Sequence, residues 1–295
     1  WSLIASAYET AVASQWTWKV GDGEASVRRA TAEWHTFLAH VPPGPVRFGN
    51  LSASALVEGI GTGAGDGSST PPTRGIVISA GGDYLEPAFI SLYVLRQMPR
   101  YSVAKEVLPV EIWTSRLLDG VMQAHLRSKL EALPRVSVRY FEDHLSRDII
   151  GRLLSLQRTA AGEIEPQSPR SSMSGRPFAL KVLALLVSSF DEALLLDADN
   201  IPAGDPMPLF TSKEFELTGA IFWPDFWKVD EGFGDGRTGQ PTDASALRLI
   251  FSYGEEAGLQ TVESGQVLVD KNRSWTALLL TLFVILRADH YAAPM

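Results

Sequence analysis

Residues 189–202 read SFDEALLLDADNIP. Four apolar residues, Ala193 to Leu196, follow a charged start and run straight into Asp197 and Asp199. A short apolar run bounded by polar residues reads as a buried strand, here residues 192–196. In an open α/β sheet, ligands bind beyond the carboxyl ends of the strands. Two carboxylates placed there suit one hard divalent cation, which takes oxygen ligands and often shares them with substrate phosphates. The metal would offset charge on a departing phosphate group.

The pair has other readings. Aspartates also cap helices and close turns by accepting backbone N–H bonds. A strand running into Asp-x-Asp is also how the haloacid-dehalogenase-type phosphatases present a nucleophilic and an acidic aspartate. That pattern usually continues to Thr or Val near the start of a chain. Here Asn200 follows, about two-thirds of the way along.

Upstream, residues 177–190 form an apolar helix that carries Lys181, sixteen residues before Asp197. Further out, strand-like and helix-like stretches alternate from Arg74 onward. Residues 75–79 (GIVIS), 108–113 (LPVEIW) and 136–140 (VSVRY) read as strands. Residues 84–98 and 117–133 carry helical stripes, and 156–176 is a polar, Pro- and Ser-rich loop. Residues 219–222 and 266–269 add two short strands, and 277–286 is an apolar helix too short to span a bilayer. Such βα repetition predicts an α/β domain with a mostly parallel sheet flanked by helices.

The domain at 74–295 follows a helical segment at 1–52, with a Gly/Ser/Pro-rich linker at 53–73. The 295 residues suit one large core with an appendage. Net charge is −8 without a basic run, which argues against nucleic acid as a partner. With no cysteine, any metal site must use oxygen or imidazole ligands.

The wider string from Lys181 to Pro202 resembles the core of the fungal Golgi α-mannosyltransferases, the α-1,2/α-1,3 enzymes of glycosyltransferase family 71. Three more blocks match in the family's order: GIVISAGGDYL from Gly75, WPDFW from Trp223, and ESGQVLVDK from Glu263. Together they cover about residues 74–290.

The resemblance implies a GT-A-like nucleotide-sugar-binding fold. It implies transfer of mannose from GDP-mannose to a glycan or glycoprotein acceptor, with retention of the α configuration and with Mn²⁺ or another divalent cation. It also implies a type II membrane protein of the Golgi lumen, anchored by a segment outside this chain.

On that reading Asp197 and Asp199 hold the metal and the donor. Ser79, Ala80, Gly81 and Gly82 close the first strand, where small residues let backbone approach a nucleotide. Lys181 faces the donor diphosphate or sugar as a point charge. Asp225 lies between aromatics suited to sugar faces. Glu263 and Gln266 stand near the reacting centre as catalytic candidates, and His290 is a candidate third metal ligand. Asn50 and Asn272 begin glycosylation sequons, the second at a helix start.

The family normally continues into a Gly-Asp-Lys-Asp/Glu-Thr-Phe segment, whereas this sequence stops at Met295. The catalytic domain is therefore expected to be truncated at its C-terminus. That leaves a catalytically inactive, sugar-nucleotide-binding relative as an alternative beside the phosphatase.

Overall fold

The structure, a computed structural model, describes residues 32–39, 44, 71–98, 107–118, 121–154, 156–158, 164–166, 179–228 and 260–286. Six strands form the main sheet: β1 Arg74–Ser79, β2 Val110–Thr114, β3 Val136–Tyr140, β6 Glu192–Leu196, β7 Ala220–Lys228 and β8 Gln260–Asp270. Their spatial order is β3-β2-β1-β6-β8-β7. β1 pairs in parallel with both β2 and β6, and β2 with β3. β8 alone is reversed and lies antiparallel to both β6 and β7. The sheet is thus mixed but mostly parallel, as the alternating sequence predicts.

Helices cover both faces. Helix α1 spans residues 32–39, α2 Leu85–Gln97, α3 Val121–Glu131, α4 Arg147–Leu153, α5 Ala179–Val187, α6 Lys213–Thr218 and α7 Lys271–Leu286. The alternation of β1 divides its side chains between two cores. Ile76 and Ile78, both fully buried, pack with Leu85, Leu92 and Leu95 of α2 and with Phe210 and Phe215. Val77 faces the other way, into a core built mainly from α5 and α7. Each such aliphatic side chain contributes roughly 1.5–3 kcal/mol when removed from water, so the central strand ties both layers together.

α5 is apolar on every side, and all of its residues except Lys181 are buried. A helix with that composition belongs inside a layer, beneath α7 and against the sheet. α7 contains the apolar run expected to be a buried helix, and Trp275, Leu279, Leu282 and Phe283 are buried along it. Phe37 of α1 is buried against it, with its ring 5.3 Å from that of Phe283. No helix among the described residues is long and apolar enough to cross a membrane.

Three sequence expectations shift. β7 and β8 are longer than predicted, at nine and eleven residues. Pro224 and the Glu-Ser-Gly-Gln run are poor strand formers, so the pattern understates both strands. Pro224 is tolerated because β7 is an edge strand, and the register slips between Phe222 and Trp223 and again after Pro224. Within the predicted loop 156–176, β4 Leu156–Arg158 and β5 Ile164–Pro166 form a two-stranded antiparallel ribbon. Thr73, the last residue of the predicted linker, is already part of the fold: its N–H and hydroxyl both bond Asp191 Oδ2, at 2.9 and 3.0 Å.

Candidate active site

The topology decides where the polar residues meet. β1 and β6 run side by side and finish together, because Ile78 pairs with Leu196. One residue further, Ser79 ends β1 and Asp197 leaves β6 at the same edge. β8 arrives at that edge from the opposite direction, with Gln266 across from Leu196. This brings Glu263 and Gly265 beside the acidic turn. Trp223 of β7 pairs with Glu263. α5 leads into β6 through a short connection, so its first turn and Lys181 lie at the same edge. The helix dipole there adds partial positive charge.

The contacts are short and specific. Lys181 Nζ lies 2.6 Å from Asp197 Oδ1 and 2.7 Å from Oδ2, so one ammonium spans both oxygens of the carboxylate. Both side chains keep partial solvent access, at 21% and 26%. The Asp197 N–H donates to the Gly265 carbonyl at 2.7 Å, and the Asn200 N–H closes the turn onto the Asp197 carbonyl at 3.0 Å. Asn200 Nδ2 donates to the same Gly265 carbonyl at 2.8 Å. Glu263 Oε1 accepts the Gly265 N–H at 2.6 Å. Asp199 is exposed at the tip of the turn.

Gly265 is the point around which these groups gather. A Cβ there would sit 2.9 Å from Asn200 Nδ2, 2.9 Å from Glu263 Oε1 and 3.2 Å from Asp197 Oδ2. The missing side chain leaves a small polar cradle lined by two carboxylate oxygens and an amide. The two carboxylate oxygens are the kind of ligand a hard divalent cation takes beside phosphate oxygens and water, whereas Asn200 Nδ2 is an N–H donor and would not bind it. Among the described residues no group of three or more His, Asp and Glu side chains encloses a metal.

The first strand's end is less uniform than its sequence suggests. Gly81 is packed from inside: a Cβ there would meet Leu118 Cδ1 at 2.5 Å and Thr114 Oγ1 at 3.0 Å. Gly82 has φ +56, a conformation that favours glycine, and open space around it. Ala80 is buried and donates its N–H to the Trp113 carbonyl at 3.0 Å.

The mannosyltransferase family model Mannosyl_trans3 matches residues 73–234, the segment that carries β1, α5, β6 and the acidic turn. The chain belongs to this mannosyltransferase family. Mannosyltransferase relatives extend the match. An α-1,2-mannosyltransferase of Candida albicans, MNN21, is 28% identical over 250 residues, covering 75% of this chain and 34% of the relative. MNN24 of the same organism is 33% identical over 155 residues, covering 44% and 21%. MNN2 of Saccharomyces cerevisiae is 29% identical over 156 residues, covering 52% and 21%. The chain thus spans about a third or less of these mannosyltransferases.

Two solved structures are similar in outline. A galactosyltransferase, LgtC, in complex with donor and acceptor sugar analogues aligns at TM-score 0.45 and 14% identity, covering 75% of this chain and 66% of that one. The S. cerevisiae mannosyltransferase Ktr4p in complex with GDP aligns at TM-score 0.40 and 11% identity, covering 99% and 81%.

In this chain Ser79, Gly82, Lys181, Asp197, Asp199, Glu263 and Gln266 all fall at one edge of the sheet. Asp225 was expected after a strand and instead lies inside β7, where only its backbone is described. His290 lies outside the described residues, as does the sequon at Asn50. Asn272 is exposed in the first turn of α7, and its N–H bonds Asp270 Oδ1 at 2.9 Å. Sequence reasoning passed over Asn200 and Gly265 as site residues. A glycine within a strand marks close approach of another group, but Gly265 fell just outside the strand expected at 266–269, so that signal emerges only with the full extent of β8.

Proposed function

We propose that this chain is the catalytic part of a metal-dependent α-mannosyltransferase that uses GDP-mannose and retains the α configuration. The observation carrying this reading is the meeting of Asp197 and Glu263 around Gly265, with Lys181 paired to Asp197, at the carboxyl edge of the sheet. Family membership supports mannosyl transfer over the phosphatase alternative. Asp197, Asp199 and the Glu263 side of the cradle would hold the cation, with Mn²⁺ the expected ion. When bound, the metal would supply charge compensation to the diphosphate as it leaves.

The residues of this chain divide the remaining work. The first turn of α5 and Lys181 offer positive charge to the diphosphate. The open backbone at Gly82 lies where a nucleoside can approach along β1. Glu263 and Gln266, on β8, orient the transferred sugar and the acceptor hydroxyl. In the reaction the bond from mannose C1 to the β-phosphate oxygen breaks. A bond from C1 to the acceptor oxygen forms with net retention, and the hydroxyl proton leaves to the departing phosphate or to a carboxylate. GDP is the second product. Resemblance to the family supports a glycan or glycoprotein acceptor and a Golgi-lumen location with an anchor outside this chain.

Calorimetric titration of GDP and UDP, each with and without Mn²⁺, tests the reading. GDP is expected to bind only with Mn²⁺, and Asp199→Ala to lose that binding. Tighter binding of UDP would discard the mannose donor. Binding without turnover of GDP-mannose would favour an inactive sugar-nucleotide-binding relative, and no binding of either nucleotide would remove the proposal.

A further inference from the structure

The acidic turn is held from three sides by one residue that the donor reading does not use. Asn200 closes the turn with its N–H on the Asp197 carbonyl, at 3.0 Å. Its side-chain amide donates across to Gly265 on β8, at 2.8 Å. Its own carbonyl accepts the hydroxyl of Ser91, a residue of α2 that is 1% exposed. The Gly265 carbonyl thereby receives two donors from opposite ends of the same turn, Asp197 N–H and Asn200 Nδ2, one for each lone pair.

We infer that Asn200, braced by Ser91, is a positioning residue that fixes the direction of the Asp197 and Asp199 carboxylates against β8. The inference rests on the nucleotide-sugar reading for its functional consequence, but its structural content stands apart from it. The residue type is constrained. The side chain must donate to a carbonyl, reach across one strand spacing, and add no charge beside Asp197, Asp199 and Glu263. Aspartate has the same shape, yet it places a carboxylate against the Gly265 carbonyl and cannot donate. Serine is too short to span the gap. Ser91 is buried while Asn200 is half-buried, so removing the hydroxyl takes from the Asn200 carbonyl a partner supplied from inside the fold.

Such a brace belongs to ligand affinity more than to fold stability. Groups that orient metal-binding carboxylates without touching the ion typically change affinity about 10–100-fold when lost. The turn lies at the edge of the sheet and joins one apolar core only through the small buried side chain of Ala198, so loosening it leaves most of both cores packed.

Hydrogen exchange in the ligand-free chain tests the brace directly. In Asn200→Asp the amides of Asp197 and Asn200 are expected to exchange at least about tenfold faster, while those of Ile76 to Ile78 keep their protection. Ser91→Ala, which deletes only the hydroxyl, is expected to give the same local pattern. Unchanged exchange at Asp197 and Asn200 would overturn the inference. So would an equal rise throughout β1, β2 and β6, which would mark general destabilisation.

The second arm is Mn²⁺-dependent GDP binding, expected to weaken about 10–100-fold in both variants. Wild-type affinity in Asn200→Asp would refute the positioning role. A wild type that binds no nucleotide would sink the donor reading, and with it the functional half of this inference, while the exchange arm would still decide the brace.

Discussion

Lys181 Nζ touches both carboxylate oxygens of Asp197, at 2.6 and 2.7 Å, and so occupies the side of Asp197 from which a divalent cation would otherwise be held. In the ligand-free protein the site carries its own counter-ion.

That arrangement separates two affinities. Lys181→Met removes a competing cation from Asp197 and a positive charge from the diphosphate path. A partly exposed ion pair is worth about 1 kcal/mol, a factor of about five. Mn²⁺ alone is expected to bind about fivefold more tightly to the variant, read by electron paramagnetic titration, whereas GDP with Mn²⁺ binds more weakly. Weaker Mn²⁺ binding in the absence of nucleotide would contradict the competition.

Gly265→Ala puts a methyl group into the polar cradle. It would lie 2.9 Å from both Asn200 Nδ2 and Glu263 Oε1, and one of them must move. Forcing an extra carbon into a packed position costs about 1–3 kcal/mol. Thermal unfolding should fall by several degrees, and Mn²⁺-dependent GDP binding should drop below detection at micromolar protein. Normal binding would show that the cradle is not part of the site.

Gly75 provides a control far from the site chemistry. A Cβ there would come within 2.3 Å of the Phe190 ring. Gly75→Ala is expected to destabilise by about 1–3 kcal/mol in urea unfolding, because a buried ring must be displaced. Nucleotide affinity of the folded fraction should stay at the wild-type value.

Lys271 gives a pH dependence. It is 3% exposed, and its ammonium donates to the Ser188 carbonyl at 2.6 Å and to the Ser188 hydroxyl at 3.3 Å. Burial pushes its pKa from 10.5 down to about 8, with Glu111 and Asp191 opposing the change. Between pH 8 and 10.5 the unfolded chain binds the proton more tightly than the folded one, so stability rises with pH through that window. Falling pH takes the gain away, and below the folded value it is lost entirely. The gap of 10.5 − 8 = 2.5 corresponds to a gain of order 3 kcal/mol. Urea unfolding at pH 8 and at pH 10.5 should show this rise in wild type but not in Lys271→Met. A parallel pH response of the two proteins would refute it.

Much of this arrangement could be read from residue order. The apolar run ending at Asp197 gave the central strand and the acidic turn, and Ile76 and Ile78 alternating with Val77 gave a strand buried on both faces. What escaped were features created by strands meeting. β8 looked like four residues because Glu263, Ser264 and Gly265 have little intrinsic preference for a strand. They are extended because β7 and the Asp197 turn supply their partners. Asp225 was expected after a strand, and lies inside β7, for the same reason. Glu111, in the middle of β2 and 3% exposed, carries a charge that no local pattern explains. Its Oε2 accepts from the indole of Trp113, two residues on in the same strand, at 3.1 Å, and its Oε1 from the Ser189 hydroxyl at 2.7 Å, a partner fixed only once α5 is docked.

The reversed strand β8 also has a meaning in time. Among the described residues β7 pairs only with β8, and β8 inserts between β7 and β6. A nascent chain that has emerged from the ribosome only as far as β7 holds its acidic turn without Gly265, and the flank of β6 stands open. Contacts this distant in sequence form slowly, and an open sheet edge invites pairing with other chains. Chain growth therefore withholds the completed site until β8 has emerged. A stalled product would be both inert and adhesive, a natural client for chaperones.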